Sequence, residues 1–138
     1  MSASKVYSPA QASLGAFLGG PIASIFFIKQ NFVVLNDEES VKKTNRYGAL
    51  IIVFFIAILP FLPENFPNMI IPIITIISTR LLVAKFQFTK EVISNNEDLD
   101  FHSNWRVFFV SLISLVIFMF IGVSLLLALD FLGIESLL

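Results

Sequence analysis

Val107–Leu129 reads VFFVSLISLVIFMFIGVSLLLAL, 23 consecutive positions without a charge. As a helix this run is about 35 Å long, enough to cross roughly 30 Å of hydrocarbon. Working outward from it, charge divides the rest of the chain. Lys85–Arg106 is polar, and Met69–Ala84 is apolar apart from Thr75, Ser78, Thr79 and Arg80. A short hairpin, Glu64-Asn65-Phe66-Pro67-Asn68, separates that segment from the uncharged Tyr47–Pro63. Lys29–Arg46 is polar again, and Val6–Ile28 gives a second run of 23 uncharged residues. The expected fold is an all-α membrane protein, a compact bundle of about four transmembrane helices. A single membrane domain, 1–138, has spans near 8–28, 46–63, 68–85 and 106–129, with loops at 29–45 and 86–105.

Composition supports this. Hydrophobic residues make up 57% and charged residues 14% of the chain, against about 25% charged in soluble domains. So small a chain has too few polar residues to cover a water-facing surface, and the excess apolar area calls for a lipid bilayer. Net charge is −1, which argues against nucleic acid as a partner. Cysteine is absent, excluding disulfides, thiolate metal sites and thiol nucleophiles. The N-terminal segment lacks the basic start and clear cleavage site of a signal peptide and is read as retained structure.

Lys and Arg set the orientation. Lys29, Lys42, Lys43 and Arg46 follow the first segment; Arg80, Lys85, Lys90 and Arg106 follow the third. The 64–68 hairpin and the C-terminal tail hold none. Loops 29–46 and 80–106 are therefore expected in the cytoplasm, with the C-terminus external. The short second and third spans are expected to run on into water. Asn36-Asp37-Glu38-Glu39 reads as a capping box with Asn36 as N-cap, starting the second helix near Asp37. Glu38→Lys42 and Glu39→Lys43 would support it at four-residue spacing. The third helix is expected to continue to about Ile93, with Arg80 snorkelling.

Gly19-Gly20-Pro21 interrupts the first segment. Pro21 removes a backbone hydrogen bond and clashes with the Phe17 carbonyl. A kinked full span is the favoured expectation and places the N-terminus outside. A broken, re-entrant segment, tolerated only where protein or water covers the freed groups, places it inside. Ala12, Gly15, Ala16, Gly19, Gly20 and Ala23 lie on a small-residue surface suited to close helix packing, within the chain or between copies.

Thr75, Ser78 and Thr79 share a face beside Arg80, readable as a polar path or as hydroxyls bonded to their own helix. No acidic residue lies inside any span, so cation coupling lacks its usual carboxylate. Tyr47, Trp105 and Arg106 are candidate interfacial anchors, and Ser103 or Asn104 a helix N-cap. Asp100, His102 and Ser103 are too close in sequence for a hydrolytic triad. Glu97, Asp98 and Asp100 lack the spacing of a calcium loop and read as solvated. No catalytic residue, metal or cofactor is expected.

Tyr7-Ser8-Pro9-x-Gln11 with Phe17-Leu18-Gly19-Gly20-Pro21, Leu59-Pro60-Phe61-Leu62-Pro63 with Phe66-Pro67-Asn68, and Phe101-x-Ser103-Asn104-Trp105-Arg106 resemble small, uncharacterised bacterial inner-membrane proteins. The resemblance spans most of the chain. It implies a bacterial inner membrane and a shared scaffold, and it carries no activity. The expected role is a structural or interaction subunit, associating with itself or a larger membrane complex. The alternative is a homo-oligomeric channel or small-solute transporter.

Overall fold

The computed structural model describes residues 4–58, 61–67 and 69–133. Helices dominate it, joined by one short parallel ribbon. In chain order the elements are β1 (Ser4–Val6), α1 (Pro9–Val34), α2 (Glu38–Ile58), α3 (Ile70–Phe86), α4 (Lys90–Asn95), β2 (Leu99–Phe101) and α5 (Asn104–Phe131). By residue count and composition alone, α1 and α5 are long and apolar enough to cross a membrane, although α1 is not one straight helix. The second and third expected spans reach into residues 59–60 and 68, and the C-terminus into 134–138, all outside the described residues.

α1 is folded on itself. A straight helix would hold Tyr7 and Asn31 about 36 Å apart. Instead the Asn31 side chain accepts a hydrogen bond from the Tyr7 N–H and donates one to its C=O, both at 2.8 Å. The Tyr7 and Phe27 rings meet edge to face at 4.6 Å. Gly15 lies against the Phe27 ring, and Gly19 against Ala23. These pairings run antiparallel, converging from 7–31 through 15–27 to 19–23. Residues 9–19 (α1a) and 21–34 (α1b) therefore form a helical hairpin.

Each residue of Gly19-Gly20-Pro21 has a part in the reversal. Gly20 adopts φ 77°, ψ −162°, a region essentially reserved for glycine. Pro21, lacking an N–H, sits where a new helix begins and has no donor to leave unpaired. Gly19 brings the backbone close: a Cβ there would lie 2.7 Å from the Ser111 carbonyl oxygen. The favoured expectation of a kinked but full-length first span is thus corrected. Glycine lets the chain reverse, so each half reaches only about 16–21 Å. β1 pairs in parallel with β2, Ser4 opposite Leu99 and Val6 opposite Phe101. The N-terminal strand consequently lies at the same end as the second polar stretch.

α2, α3 and α5 each pack on α1 and hardly on one another. Ala12, Ala23, Phe27, Val83 and Val107 gather with Tyr7 in the main apolar core, and Val6, Phe88 and Ile93 form a second cluster beneath the ribbon. Outside, apolar residues stay uncovered. Only Val107, Ser111 and Ser114 of α5 are buried, while Phe109, Ile113, Val116 and Phe120 are exposed.

Two helix ends differ from expectation. Asn36, expected as the N-cap of the second helix, has φ 56° and closes α1 instead. Its N–H donates to the Val33 carbonyl and that of Asp37 to Phe32, the paired bonds of a Schellman motif. Asn tolerates the left-handed conformation better than most residues, which explains the shift by one position. Asp37 caps α2, accepting from the Ser40 N–H at 3.0 Å and the Ser40 hydroxyl at 2.7 Å. Both bonds, with Lys43 nearby, lower the Asp37 pKa. Glu39–Lys43 closes at 3.3 Å. The third helix stops at Phe86 rather than running to Ile93, because Gln87 leaves helical geometry (φ −127°, ψ −93°) and Thr89 caps a separate α4.

Candidate functional site

The polar groups of the fold concentrate where the two ends of the hairpin meet. Asn31 is fully buried, and three hydrogen bonds use its amide: two to the Tyr7 backbone and one, from Nδ2, to Gln87 Oε1 at 2.9 Å. Gln87 Nε2 then donates to the Ile28 carbonyl at 2.8 Å. The helix break at Gln87 is what turns this amide back towards α1b. One clasp thus joins the start of α1a, the end of α1b and the end of α3.

Tyr7 extends the clasp to α5. Its ring stacks on His102 with centroids 4.1 Å apart, and its hydroxyl accepts from Arg106 Nε at 3.1 Å. Ser8 and Gln11 form a reciprocal capping box at the start of α1a. Gln11 Nε2 also donates to the His102 carbonyl at 2.7 Å and to Asn104 Oδ1 at 3.0 Å. Desolvation, then Arg106 and Lys5, hold the His102 pKa below its ordinary value. Neutral imidazole is the form that stacks comfortably beside two cations.

Deeper in the fold, Ser24 of α1b meets Thr79 of α3 at 2.6 Å. Thr79 Oγ1 donates to the Thr75 carbonyl, so Ser24 supplies the proton between the hydroxyls. Thr75 and Ser111 likewise bond back to Ile71 and Val107. Of the candidate polar path, Thr75, Ser78 and Thr79 share a groove wall, whereas Arg80 is exposed on the outer surface of α3. At about 100° per residue Arg80 projects beside that wall rather than from it.

The small-residue surface is occupied within the chain. Ala12, Gly15, Ala16, Gly19 and Ala23 are buried, and Gly20 is half-buried at the hairpin tip. Gly15 and Gly19 admit Phe27 and the α5 backbone at Ser111. Of the two expectations for these residues, packing within the chain or between copies, the contacts seen are of the first kind: the close approach they permit is used on α1b and α5. Of the three residues expected as interfacial anchors, Tyr47 and Trp105 are exposed, and Arg106 ties to Tyr7. Ser103 caps α5 through the Trp105 N–H, and Asp100 Oδ1 accepts from the Phe101 N–H. With His102 stacked on Tyr7, the three residues weighed as a triad do not converge.

A groove separates α2 from α3, with α1b as its floor. Its loop-side part, about 310 Å³, is lined by Phe32, Ser40, Lys43, Thr44, Tyr47 and Gly48. Its deeper part, about 280 Å³, reaches Pro21, Ser24, Phe55, Thr75, Ser78 and Thr79. Ile25, Ile28, Ile51 and Leu82 belong to both and make the groove continuous.

No protein-family model, curated protein or solved structure matches the chain. The site therefore rests on its geometry alone. Reading the sequence missed Asn31, Gln87 and the clasping role of Tyr7. Their signal was present as uncharged amides placed just beyond the apolar runs, where a solvated loop residue would more often be charged.

Proposed function

We propose that this chain is a multi-pass protein of a bacterial inner membrane, serving as a structural or interaction subunit. In this reading α2, α3 and α5 span the bilayer, and α1 enters from the cytoplasmic side as a re-entrant hairpin and returns. The polar loops and the N-terminal strand lie in the cytoplasm, where the excess of Lys and Arg belongs. The C-terminus lies outside. The meeting of the Tyr7-Ser8-x-x-Gln11 and His102-x-Asn104-x-Arg106 groups in one clasp supports a shared scaffold of the kind the sequence resembles.

One observation carries the functional reading. Among the described residues, no buried side-chain nitrogen or oxygen lacks a hydrogen-bond partner. Polar chemistry in the interior is consumed in holding the hairpin, which favours a scaffold over a transport path or a reaction centre. Because the small-residue face is internal, association uses the outward apolar surface. α5 offers an extensive one, with Phe109, Ile113, Val116, Phe120, Val123 and Leu127 all exposed.

Affinity capture from native membranes in mild detergent, combined with cross-linking through Ile117→Cys on α5, tests this. Recovery of a stoichiometric membrane partner or a cross-linked second copy is expected. A monomer with no captured partner, together with solute flux in liposomes, overturns the reading. Topology is checked separately: Lys5→Cys and Asn36→Cys should label from the same side of sealed vesicles.

A further inference from the structure

The geometry points to a second, more specific use of the groove between α2 and α3: it holds one acyl chain of a phospholipid from the loop-side leaflet, with the lipid phosphate at Lys43. This rests on the membrane reading above and adds to it a ligand class and a site.

Three observations support the assignment. First, the groove is continuous along α2, whose lining positions 43, 47, 51 and 55 recur at helical spacing. From Lys43 to Phe55 that stripe covers about 18 Å, close to one leaflet's share of a roughly 30 Å core. Second, the charged and aromatic polar groups gather at the loop-side end and give way to an apolar middle. Beyond it the deep end adds Pro21, Phe55 and Ile74 with the hydroxyls of Ser24, Thr75, Ser78 and Thr79. The loop-side end carries Ser40, Lys43, Thr44 and the exposed Tyr47, and the middle carries Ile25, Ile28, Ile51 and Leu82. Tyrosine at this level is an interfacial residue, and an exposed ammonium is matched to phosphate. Third, the groove stays open because α2 and α3 make little contact with each other. In a bilayer an open apolar slot flanked by spanning helices is filled by a chain. Five of the hydroxyls lining it are already engaged within the chain: Thr44, Thr75 and Thr79 donate to backbone carbonyls, Ser40 to Asp37 and Ser24 to Thr79.

Lys43 is already placed by Glu39 at 3.3 Å. The phosphate adds to that pair rather than replacing it, and Glu39 keeps the ammonium at the groove's mouth.

The test uses the whole chain purified from its membrane in mild detergent, with native mass spectrometry and re-addition of palmitoyl-oleoyl phosphatidylglycerol. About one phospholipid per chain should survive purification. Ser78→Phe, which projects a ring into the groove from an exposed wall position, should abolish retention. Lys43→Ala, at a solvated site that leaves the fold intact, should weaken re-addition about fivefold, as expected for loss of one basic contact near a lipid phosphate. Val53→Phe, exposed on α2 away from the groove, is the control. Absence of retained lipid, retention unchanged in Ser78→Phe and Lys43→Ala, or equal loss in Val53→Phe overturns the proposal. Alkaline carbonate extraction separates the two readings. Chain that resists extraction yet holds no lipid defeats only the groove, whereas chain released by carbonate defeats the membrane reading itself.

Discussion

Replacing Asn31 by leucine tests whether the amide clasp holds the hairpin shut. Leucine keeps the number and branching of the side-chain heavy atoms, so the bulkier side chain still fits the outline of the site approximately, but three hydrogen bonds disappear. In the closed state the Tyr7 N–H and C=O would lose their partners at a fully buried position. Each unsatisfied buried group costs about 1–3 kcal/mol. Gln87 is half-buried and recovers its bond from water, so two groups set the cost, about 2–4 kcal/mol after local relaxation. In the open state Tyr7 is at the loop end and water satisfies it, so the full difference falls on the closing equilibrium. At 1.4 kcal/mol per tenfold, the open fraction should rise about 30- to 1,000-fold. The chain has no cysteine, so Val6→Cys, fully buried beneath the ribbon, reports opening through its rate of thiol labelling. An increase below about threefold in Asn31→Leu would refute the clasp as a closing element, because it would mean the Tyr7 backbone finds water without opening.

Gly20→Ala should destabilise the hairpin by about 1–3 kcal/mol purely through its backbone conformation, since a Cβ there meets nothing within 4 Å; thermal unfolding in detergent measures this. Gly19→Leu should cost at least about 1–3 kcal/mol by overpacking against the α5 backbone, lowering the unfolding temperature whatever the oligomeric state on size exclusion. Acidification should loosen the clasp. The folded pKa of His102 lies below the ordinary imidazole value of about 6.5, so the unfolded chain takes up the proton first. Stability is then complete above about 6.5 and falls as pH drops towards the folded pKa. Val6→Cys labelling should accelerate over that window, and His102→Phe, which keeps a ring against Tyr7, should remove this dependence.

The mostly helical class, the two most apolar runs and the polar stretches between them were legible because charges fall in blocks along the chain. The short α4 was not, since it reads as a continuation of the third helix. The reversal was not decided by sequence. Gly19-Gly20-Pro21 satisfies both a kinked helix and a broken one, and the choice depends on what lies 24 residues apart, Tyr7 and Asn31, which no local pattern links. The small-residue surface was legible as a place of close approach, but its partner was not: Gly15 and Gly19 are equally suited to Phe27, to Ser111 or to another copy. Asn36 illustrates a narrower ambiguity, because asparagine serves both at an N-cap and in the left-handed position that ends a helix. The same polar string, Asn36-Asp37-Glu38-Glu39, supports either division, and Ser40 settles it by satisfying Asp37. Gln87 looked like one more residue of a continuing helix; its value lies in leaving the helix to meet Asn31.

The hairpin explains why so many weak features converge at one end. α1a and α1b are too short to span, so in the membrane reading proposed above their turn would lie near mid-depth, where unpaired backbone groups are costly. Gly20 and Pro21 limit that cost at the tip: proline has no N–H to leave unpaired, and α2, α3 and α5 contribute Phe55, Ile71 and Leu115 to the cavity around it. The remaining drive to straighten into a single span is resisted at the other end, by the Asn31–Tyr7–Gln87 bonds and the two-stranded ribbon. α1 is also the shared packing partner of α2, α3 and α5. If it straightened, Ser24 would leave Thr79, Gly19 would leave Ser111, and the three outer helices would lose the surface that holds them together. The clasp therefore acts at a distance on the whole bundle. Its central bonds are buried while the hairpin is closed, but they lie at the loop end, where opening exposes them to water. In the membrane reading proposed above, this makes the closure of the hairpin answerable to conditions in the aqueous phase.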